Sequence, residues 1–177
     1  MKRVMCIPNY SEGRDLEKVE KIADCFRAKE GLKLVDYQPD KDHNRTVVEV
    51  IGEPKAVMDA VIASVKVAQE VIDMTKHSGG HPRMGAVDVV PFIPITECTT
   101  EECVEYAKEV GKAIGELGIP VYLYQNLVTG TKRLSFPVTV CEYGMFTLVQ
   151  WQITIDRIIQ ANKCCLNVGC NFSTCPT

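Results

Sequence analysis

Arg45-Thr46-Val47-Val48-Glu49-Val50-Ile51-Gly52, followed by Glu53-Pro54, is the stretch from which the fold can be read. Its first eight residues are rich in β-branched side chains, which suit a pleated, half-buried surface, and they predict a strand. Pro54 suits the first turn of a helix, where its missing N–H is not needed and its fixed φ is already helical. Beyond it, Val57, Met58, Val61, Ile62, Val65, Ala68 and Ile72 recur at helical spacing to about residue 74. A strand therefore passes directly into a long amphipathic helix.

The same alternation continues in both directions. Upstream, Leu32-Lys33-Leu34-Val35-Asp36-Tyr37 reads as a strand, and Pro39-Asp40-Lys41-Asp42-His43-Asn44 as a polar turn. Before it, Leu16, Val19, Ile22, Ala23 and Phe26 make one apolar stripe on a helix that starts near Asp15 and leaves at Gly31. Arg3-Val4-Met5-Cys6-Ile7-Pro8 reads as a buried first strand ending in a turn-rich connection, Asn9-Tyr10-Ser11-Glu12-Gly13. Downstream, Ala86-Val87-Asp88-Val89-Val90-Pro91-Phe92-Ile93-Pro94 is a fourth strand whose prolines suggest an edge or a bulge. Thr99 and Glu102 form a capping box that opens a helix carrying Cys103, Tyr106, Ala107, Val110, Ile114 and Leu117. Gly118 closes that helix, and Pro120-Val121-Tyr122-Leu123-Tyr124 reads as a fifth strand. The order is β-α-β-β-α-β-α-β, and its first six elements have the split β-α-β order of ferredoxin-like folds. The expected class is α/β, an α+β sandwich of a mixed sheet with helices on one face. The polar segments at 9–13, 36–45 and 76–85 are expected to gather on one rim.

A chain of 177 residues, 46% hydrophobic and 24% charged, suits a soluble domain that buries its own core. A net charge of −3 argues against nucleic acid as a partner, since no basic surface is available to displace counterions. No run approaches the roughly 20 apolar residues of a membrane span, and Pro8 and Asn9 interrupt any signal-peptide core at the start. A cytoplasmic location is expected. Of nine cysteines, Cys141, Cys164, Cys165, Cys170 and Cys175 crowd into the tail. An odd count without a secretion signal is a poor disulfide framework, and the tail spacing is not that of a zinc site. Composition shifts after Tyr124: residues 126–177 carry only Lys132, Arg133, Glu142, Asp156, Arg157 and Lys163 as charged residues. The expected division is a domain at 1–124 and a divergent cysteine-rich tail at 125–177, with no recognisable second subdomain.

Chemistry concentrates in Lys76-His77-Ser78-Gly79-Gly80-His81-Pro82-Arg83-Met84-Gly85. No helix runs through Gly79-Gly80 and Pro82, and the residue before a proline is pushed towards extended backbone. His81 occupies that position. An imidazole there, next to a cation, suits proton transfer near neutral pH, and a merely solvated loop is the competing reading. His77 and His81 lie four apart, but the glycines prevent the shared helical face of a zinc pair, so no metal is expected. Arg45 and Arg83 suit carboxylates, which a guanidinium binds through paired hydrogen bonds, with structural ion pairs as the alternative. Asn9 and Asn44 can bond a ligand or a turn. Gly79, Gly80 and Gly85 allow close backbone approach to a flat ligand.

Four blocks resemble the glutamate formiminotransferase family. They are Cys6-Ile7-Pro8-Asn9-Tyr10-Ser11-Glu12-Gly13, then Asp42-His43-Asn44-Arg45-Thr46-Val47, then the segment from Asp73 through His77 and His81 to Pro94, and last Pro120-Val121-Tyr122-Leu123-Tyr124. Their order over residues 1–124 is far more specific than any one motif. The resemblance implies transfer of a formimino group from N-formimino-L-glutamate to N5 of tetrahydrofolate, in histidine degradation and one-carbon metabolism. Tetrahydrofolate is then a substrate, bound between two α/β subdomains, of which this chain covers the first. A homodimer or a separate second-subdomain chain would supply the remainder. The charge-poor tail looks like foreign or out-of-frame sequence joined to a truncated amino-terminal subdomain.

By the same resemblance His81 is the catalytic histidine. It would take the proton that N5 loses and return it to the departing glutamate nitrogen. Asp36 is the candidate carboxylate for stabilising the amidine-like intermediate; two residues on, where many family members have another acid, this chain has Gln38. Asn9, Asn44, Arg45, His77, Arg83 and Gly85 are the candidate substrate- and folate-binding residues. Two other readings are a catalytically inactive folate- or partner-binding module and a histidine-dependent hydrolase on a similar fold.

Overall fold

The computed structural model describes residues 1–80 and 85–121. Its sheet is organised on β4 (Arg45–Gly52). Along one side β4 pairs with β3 (Leu32–Asp40), from Leu32 opposite Gly52 to Asp40 opposite Arg45. Along the other it pairs with β1 (Arg3–Cys6) and then with β2 (Asn9–Tyr10). These two are one course of chain interrupted at Ile7-Pro8. Pro8 has no N–H to donate, but its carbonyl accepts from the Val48 N–H at 3.0 Å, so both flanks stay on the same neighbour. The outer course breaks the same way. β5 (Val87–Val89) pairs with β2, and β6 (Phe92–Thr96) pairs with β1. At the break between them the Pro91 carbonyl accepts from the Ile7 N–H at 3.3 Å. Among the described residues, the prolines of the fourth strand thus mark both an edge and an interruption.

Every described pairing is antiparallel, where a mixed sheet was expected. The crossover through the first helix does bring β3 parallel to β1, but β4 lies between them and separates the parallel pair. Two further expectations change. Asn9 and Tyr10 are ladder residues, not a turn, and pair on both sides. β3 runs through Pro39 to Asp40, which is tolerated because, among the described residues, it pairs with β4 alone. The bulge between Leu34 and Asp36 puts Leu34 and Tyr37 against the core and leaves Val35 exposed. Of the fifth strand expected at 120–124, residues 122–124 lie outside the described residues, as does the tail from 125.

Three helices cover the buried face. α1 (Leu16–Ala23) is capped by the Asp15 carboxylate, which accepts from the N–H groups of Glu17 and Lys18. A single tighter turn, Asp24–Phe26, follows it. Leu16 is 51% exposed, because it opens the helix a turn before the buried stripe of Val19, Ile22, Ala23 and Phe26 begins. α2 (Pro54–Val71) packs between α1 and α3 (Thr100–Glu116). Its Val57, Met58, Val61, Val65 and Ala68 meet Val4, Cys6, Val48, Val50 and Phe92 of the strands in one core. Tyr10 is fully buried, and its hydroxyl lies 2.6 Å from Ser64 Oγ on α2. Ser64 uses its own proton on the Val61 carbonyl at 2.7 Å, so Tyr10 is the donor between them. No helix among the described residues is long and apolar enough to cross a membrane.

The capping box at α3 is formed. The Thr99 hydroxyl accepts from Glu102 N–H at 3.3 Å, and Glu102 Oε2 accepts from Thr99 N–H at 3.0 Å. Thr99→Ala is expected to lower stability by about 1 kcal/mol. The measurement is urea unfolding, with a lower midpoint and an unchanged slope.

Candidate functional site

Three polar segments meet at one end of β4: the β2–α1 connection, the β3–β4 turn, and the chain that follows α2. Glu12 organises the first. It is 8% exposed, and its Oε1 accepts from the N–H groups of Gly13, Arg14 and Asp15, each at 3.0 Å. Lys18 Nζ lies 3.6 Å from its other oxygen. The Thr46 hydroxyl donates to the Glu12 carbonyl and ties the loop to β4. Gly13 lies so close to the β3–β4 turn that a Cβ there would be 2.3 Å from the Asp40 carbonyl oxygen and 2.6 Å from Arg45 N. Only glycine permits that approach.

Asn44 joins all three segments. Its backbone is left-handed, with φ of 50°, and its side chain is buried. Oδ1 accepts from the Gly13 N–H at 3.0 Å, and Nδ2 donates to the Ser78 carbonyl at 3.0 Å. Those two partners fix which way the amide points. Nδ2 is also 3.3 Å from His77 Nδ1. An amide nitrogen can only donate, so His77 Nδ1 accepts and the ring proton sits on Nε2. Gly79 backs against the turn, where a Cβ would lie 2.3 Å from the His43 carbonyl oxygen. The Gly80 N–H donates to the Asp42 carbonyl at 3.2 Å. Arg14 adds Nε to the Lys41 carbonyl at 2.8 Å.

Asp40 shapes the turn. It accepts from the N–H groups of Asp42 and His43, both at 2.9 Å, and lies 2.6 Å from His43 Nδ1. The His43 N–H, the His43 ring and the Asp42 N–H hold its carboxyl below the usual carboxylate range.

The fourth contributor is β5. Asp88 is 4% exposed and sits 3.1 Å from Arg45 Nη2, pairing the two strands through a buried carboxylate. Arg45 Nε is buried with no hydrogen-bond partner among the described residues, leaving one edge of the guanidinium with a donor to offer. Ser11 then secures the start of β5, donating through Oγ to the Gly85 carbonyl at 2.7 Å and through N–H to the Ala86 carbonyl at 2.9 Å. The described residues on either side of 81–84, Gly80 and Gly85, are therefore tied into this assembly. His81 and Arg83 themselves lie outside the described residues.

Asn44, Arg45 and His77 are thus brought together, and Gly85 joins them through Ser11. Asn9 is buried beside them, but its Nδ2 is spent on the Ile7 carbonyl at 2.9 Å, the turn-bonding alternative for that residue. Asp36 stays apart. Its register partner is Glu49, four residues along β3 from Asp40, which is about 13 Å of strand. Its exposed carboxylate accepts from the Tyr37 N–H and from Gln38 Nε2. Sequence reasoning passed over Glu12, Thr46 and Asp88. Asp88 carried the clearest signal, an acid between valines in an apolar strand. Among the described residues, no group of three or more His, Cys, Asp or Glu is arranged to hold a metal ion.

Residues 3–142 match the family described as formiminotransferase domain, N-terminal subdomain; the match runs on past residue 124. The chain is similar to a glutamate formimidoyltransferase of Streptococcus pyogenes serotype M1, 46% identical over 133 residues, covering 75% of this chain and 44% of that protein. It is similar to a glutamate formimidoyltransferase of Thermoplasma acidophilum, 46% identical over 125 residues, covering 70% of this chain and 41% of that protein. A formimidoyltransferase-cyclodeaminase of Dictyostelium discoideum is 47% identical over 133 residues, which cover 75% of this chain and 25% of that protein. The chain spans less than half the length of these curated relatives. With the matched residues making up most of its length, the chain belongs to the formiminotransferase family, as its N-terminal subdomain.

Proposed function

We propose that the chain supplies the amino-terminal half of a glutamate formimidoyltransferase site. That site moves the formimino group of N-formimino-L-glutamate to N5 of tetrahydrofolate. The observation that carries this reading is the Asn44 junction, where a single side chain locks together three of the blocks the family shares. It leads the chain directly into His81.

In this reading His81 accepts the proton that N5 loses on attacking the formimino carbon, and later protonates the departing glutamate nitrogen. Arg45, held by Asp88 with Nε still to be satisfied, fits a substrate carboxylate, and Arg83 offers a second cation. Asp36, four residues from Asp40 on β3, is kept as the candidate carboxylate for the amidine-like intermediate. The pathway is histidine degradation in the cytoplasm. The fold is ferredoxin-like: with each interrupted course taken as one strand, the order across the sheet is β3, β4, β1 with β2, then β6 with β5. The stable unit runs through about residue 124, so a chain truncated after Gln125 is expected to unfold cooperatively.

Because less than half of each relative is matched, the chain by itself is read as a weak folate-binding half-site, and catalysis needs the remaining segment. Calorimetric titration with tetrahydrofolate beside a formimino-transfer assay tests this. The expected result is weak binding and transfer that appears when a separately expressed second subdomain of a related transferase is added. Each 1.4 kcal/mol of missing contact corresponds to about tenfold in affinity. Submicromolar binding by the chain alone would reject the half-site reading. Absence of transfer in the mixture would reject the enzyme reading in favour of an inactive binding module.

A further inference from the structure

We propose that Cys98 and Cys103 form a redox-active thiol pair that closes into a disulfide across the start of α3. Their sulfurs lie 3.8 Å apart, a thiol–thiol contact remote in sequence from the residues of the proposed site. Cys98 immediately precedes the N-cap Thr99, and Cys103 is in the first turn of the helix. That is the spacing at which residues before and after a cap pack together, and it sets the two side chains facing each other.

The two ends differ in access. Cys103 is fixed in the helix and 2% exposed, and Cys98 is half-buried in the corner between β6 and α3. The residue before it, Glu97, has a left-handed backbone with φ of 50°, an unfavourable setting for a non-glycine residue. Outside the helix, the corner holds Cys98 by fewer constraints than α3 places on Cys103. Closing the sulfurs from contact to a bond of about 2.05 Å needs a shift of less than 2 Å, within reach of a side-chain rotation and a small loop adjustment. Neither other described cysteine has this arrangement. Cys6 is fully buried and burial pushes its thiol well up, and burial also raises the thiol of Cys25.

The chemistry balances with a hydroperoxide as oxidant. The Cys98 sulfur attacks the peroxide oxygen, the O–O bond breaks, and Cys98 becomes a sulfenic acid with release of one water. The Cys103 sulfur then attacks the Cys98 sulfur, the S–O bond breaks, and the oxygen leaves as a second water. Two thiols lose two electrons and two protons, and hydrogen peroxide is reduced to two waters. A thiol reductant reverses the state. Closure cross-links the β6–α3 corner and holds the start of the helix.

Both cysteines fall in one tryptic peptide, residues 84–108, which has no internal lysine or arginine. The test treats the chain with submillimolar hydrogen peroxide, blocks the remaining thiols with iodoacetamide, and reads that peptide by mass spectrometry. The expected result is loss of two hydrogens with no alkylation, and double alkylation after reduction. In Cys103→Ser, Cys98 should instead be captured by dimedone as the sulfenic acid. Two outcomes overturn the proposal. In one, the peptide stays doubly alkylated at peroxide levels that oxidise Cys25. In the other, Cys98 joins a different cysteine while Cys103 remains alkylated. Both readouts come from the wild-type chain, so they hold even if the serine variant folds poorly.

Discussion

His81→Ala is expected to lower formimino transfer by roughly 10²–10⁴-fold, the usual contribution of a positioned general acid–base group. Thermal unfolding should be unchanged. The reaction makes two opposite demands. N5 of tetrahydrofolate must lose a proton as it attacks, and the leaving nitrogen must gain one before it departs. Imidazole does both near neutral pH because its two forms are similarly populated there. The described chain just before position 81 is fixed by three contacts. Gly79 is pressed on the His43 carbonyl, Gly80 donates to Asp42, and Asn44 bonds Ser78. His77→Ala and His43→Ala should cost much less. His77 accepts from Asn44 and His43 pairs with Asp40, so both rings serve the loops. The comparison is made in the transfer assay with the wild-type chain as reference, alone or combined with a second subdomain. Near wild-type activity in His81→Ala with collapse in His77→Ala would move the acid–base role to His77.

The helices were legible because their signals are local. Pro54 in the first turn of α2 and the Thr99–Glu102 box each depend on residues within one turn, and each formed. What could not be read were features set by neighbours distant in sequence. Asn9-Tyr10 looks like a turn by composition, yet it pairs with β4 on one side and β5 on the other. Tyr10 is then buried against Ser64, 54 residues away. The split β-α-β order allows β4 to lie between β1 and β3, which leaves every described pairing antiparallel where a mixed sheet was expected. The site divides the same way. Asn44, open to bonding a ligand or a turn, bonds the loops, and Gly79, expected to admit a flat ligand, packs on the His43 carbonyl instead. Glu12 and Asp88 gave little sign, since an acid becomes a structural centre only when folding brings its donors to it.

Asp88→Ala is the substitution expected to damage the fold most among the site residues. Asp88 has 5% of its side chain exposed and Arg45 21%, so removing the carboxylate leaves a guanidinium largely withdrawn from water without its counter-charge. Among the described residues Arg45 Nε has no partner, so the ion pair with Asp88 is what compensates the buried part of that charge. Breaking a buried pair from one side costs about 3–5 kcal/mol, and the partial exposure of Arg45 favours the lower figure. A loss of about 3 kcal/mol lowers the melting temperature by roughly 10 °C in a domain of this size. Removing both charges in Arg45→Met/Asp88→Ala should recover part of the loss, because no charge is then left stranded; the coupling between the two sites is expected at roughly 1–3 kcal/mol. Arg45→Lys should retain much of the stability but bind a carboxylate less well, since an ammonium cannot present two parallel donors. Thermal and urea unfolding of these three variants and of Arg45→Met alone, which completes the cycle, decides the matter. If Asp88→Ala lies within about 0.5 kcal/mol of wild type, as ordinary surface substitutions do, Asp88 is not what holds Arg45, and the case for Arg45 as a pre-positioned carboxylate ligand fails with it.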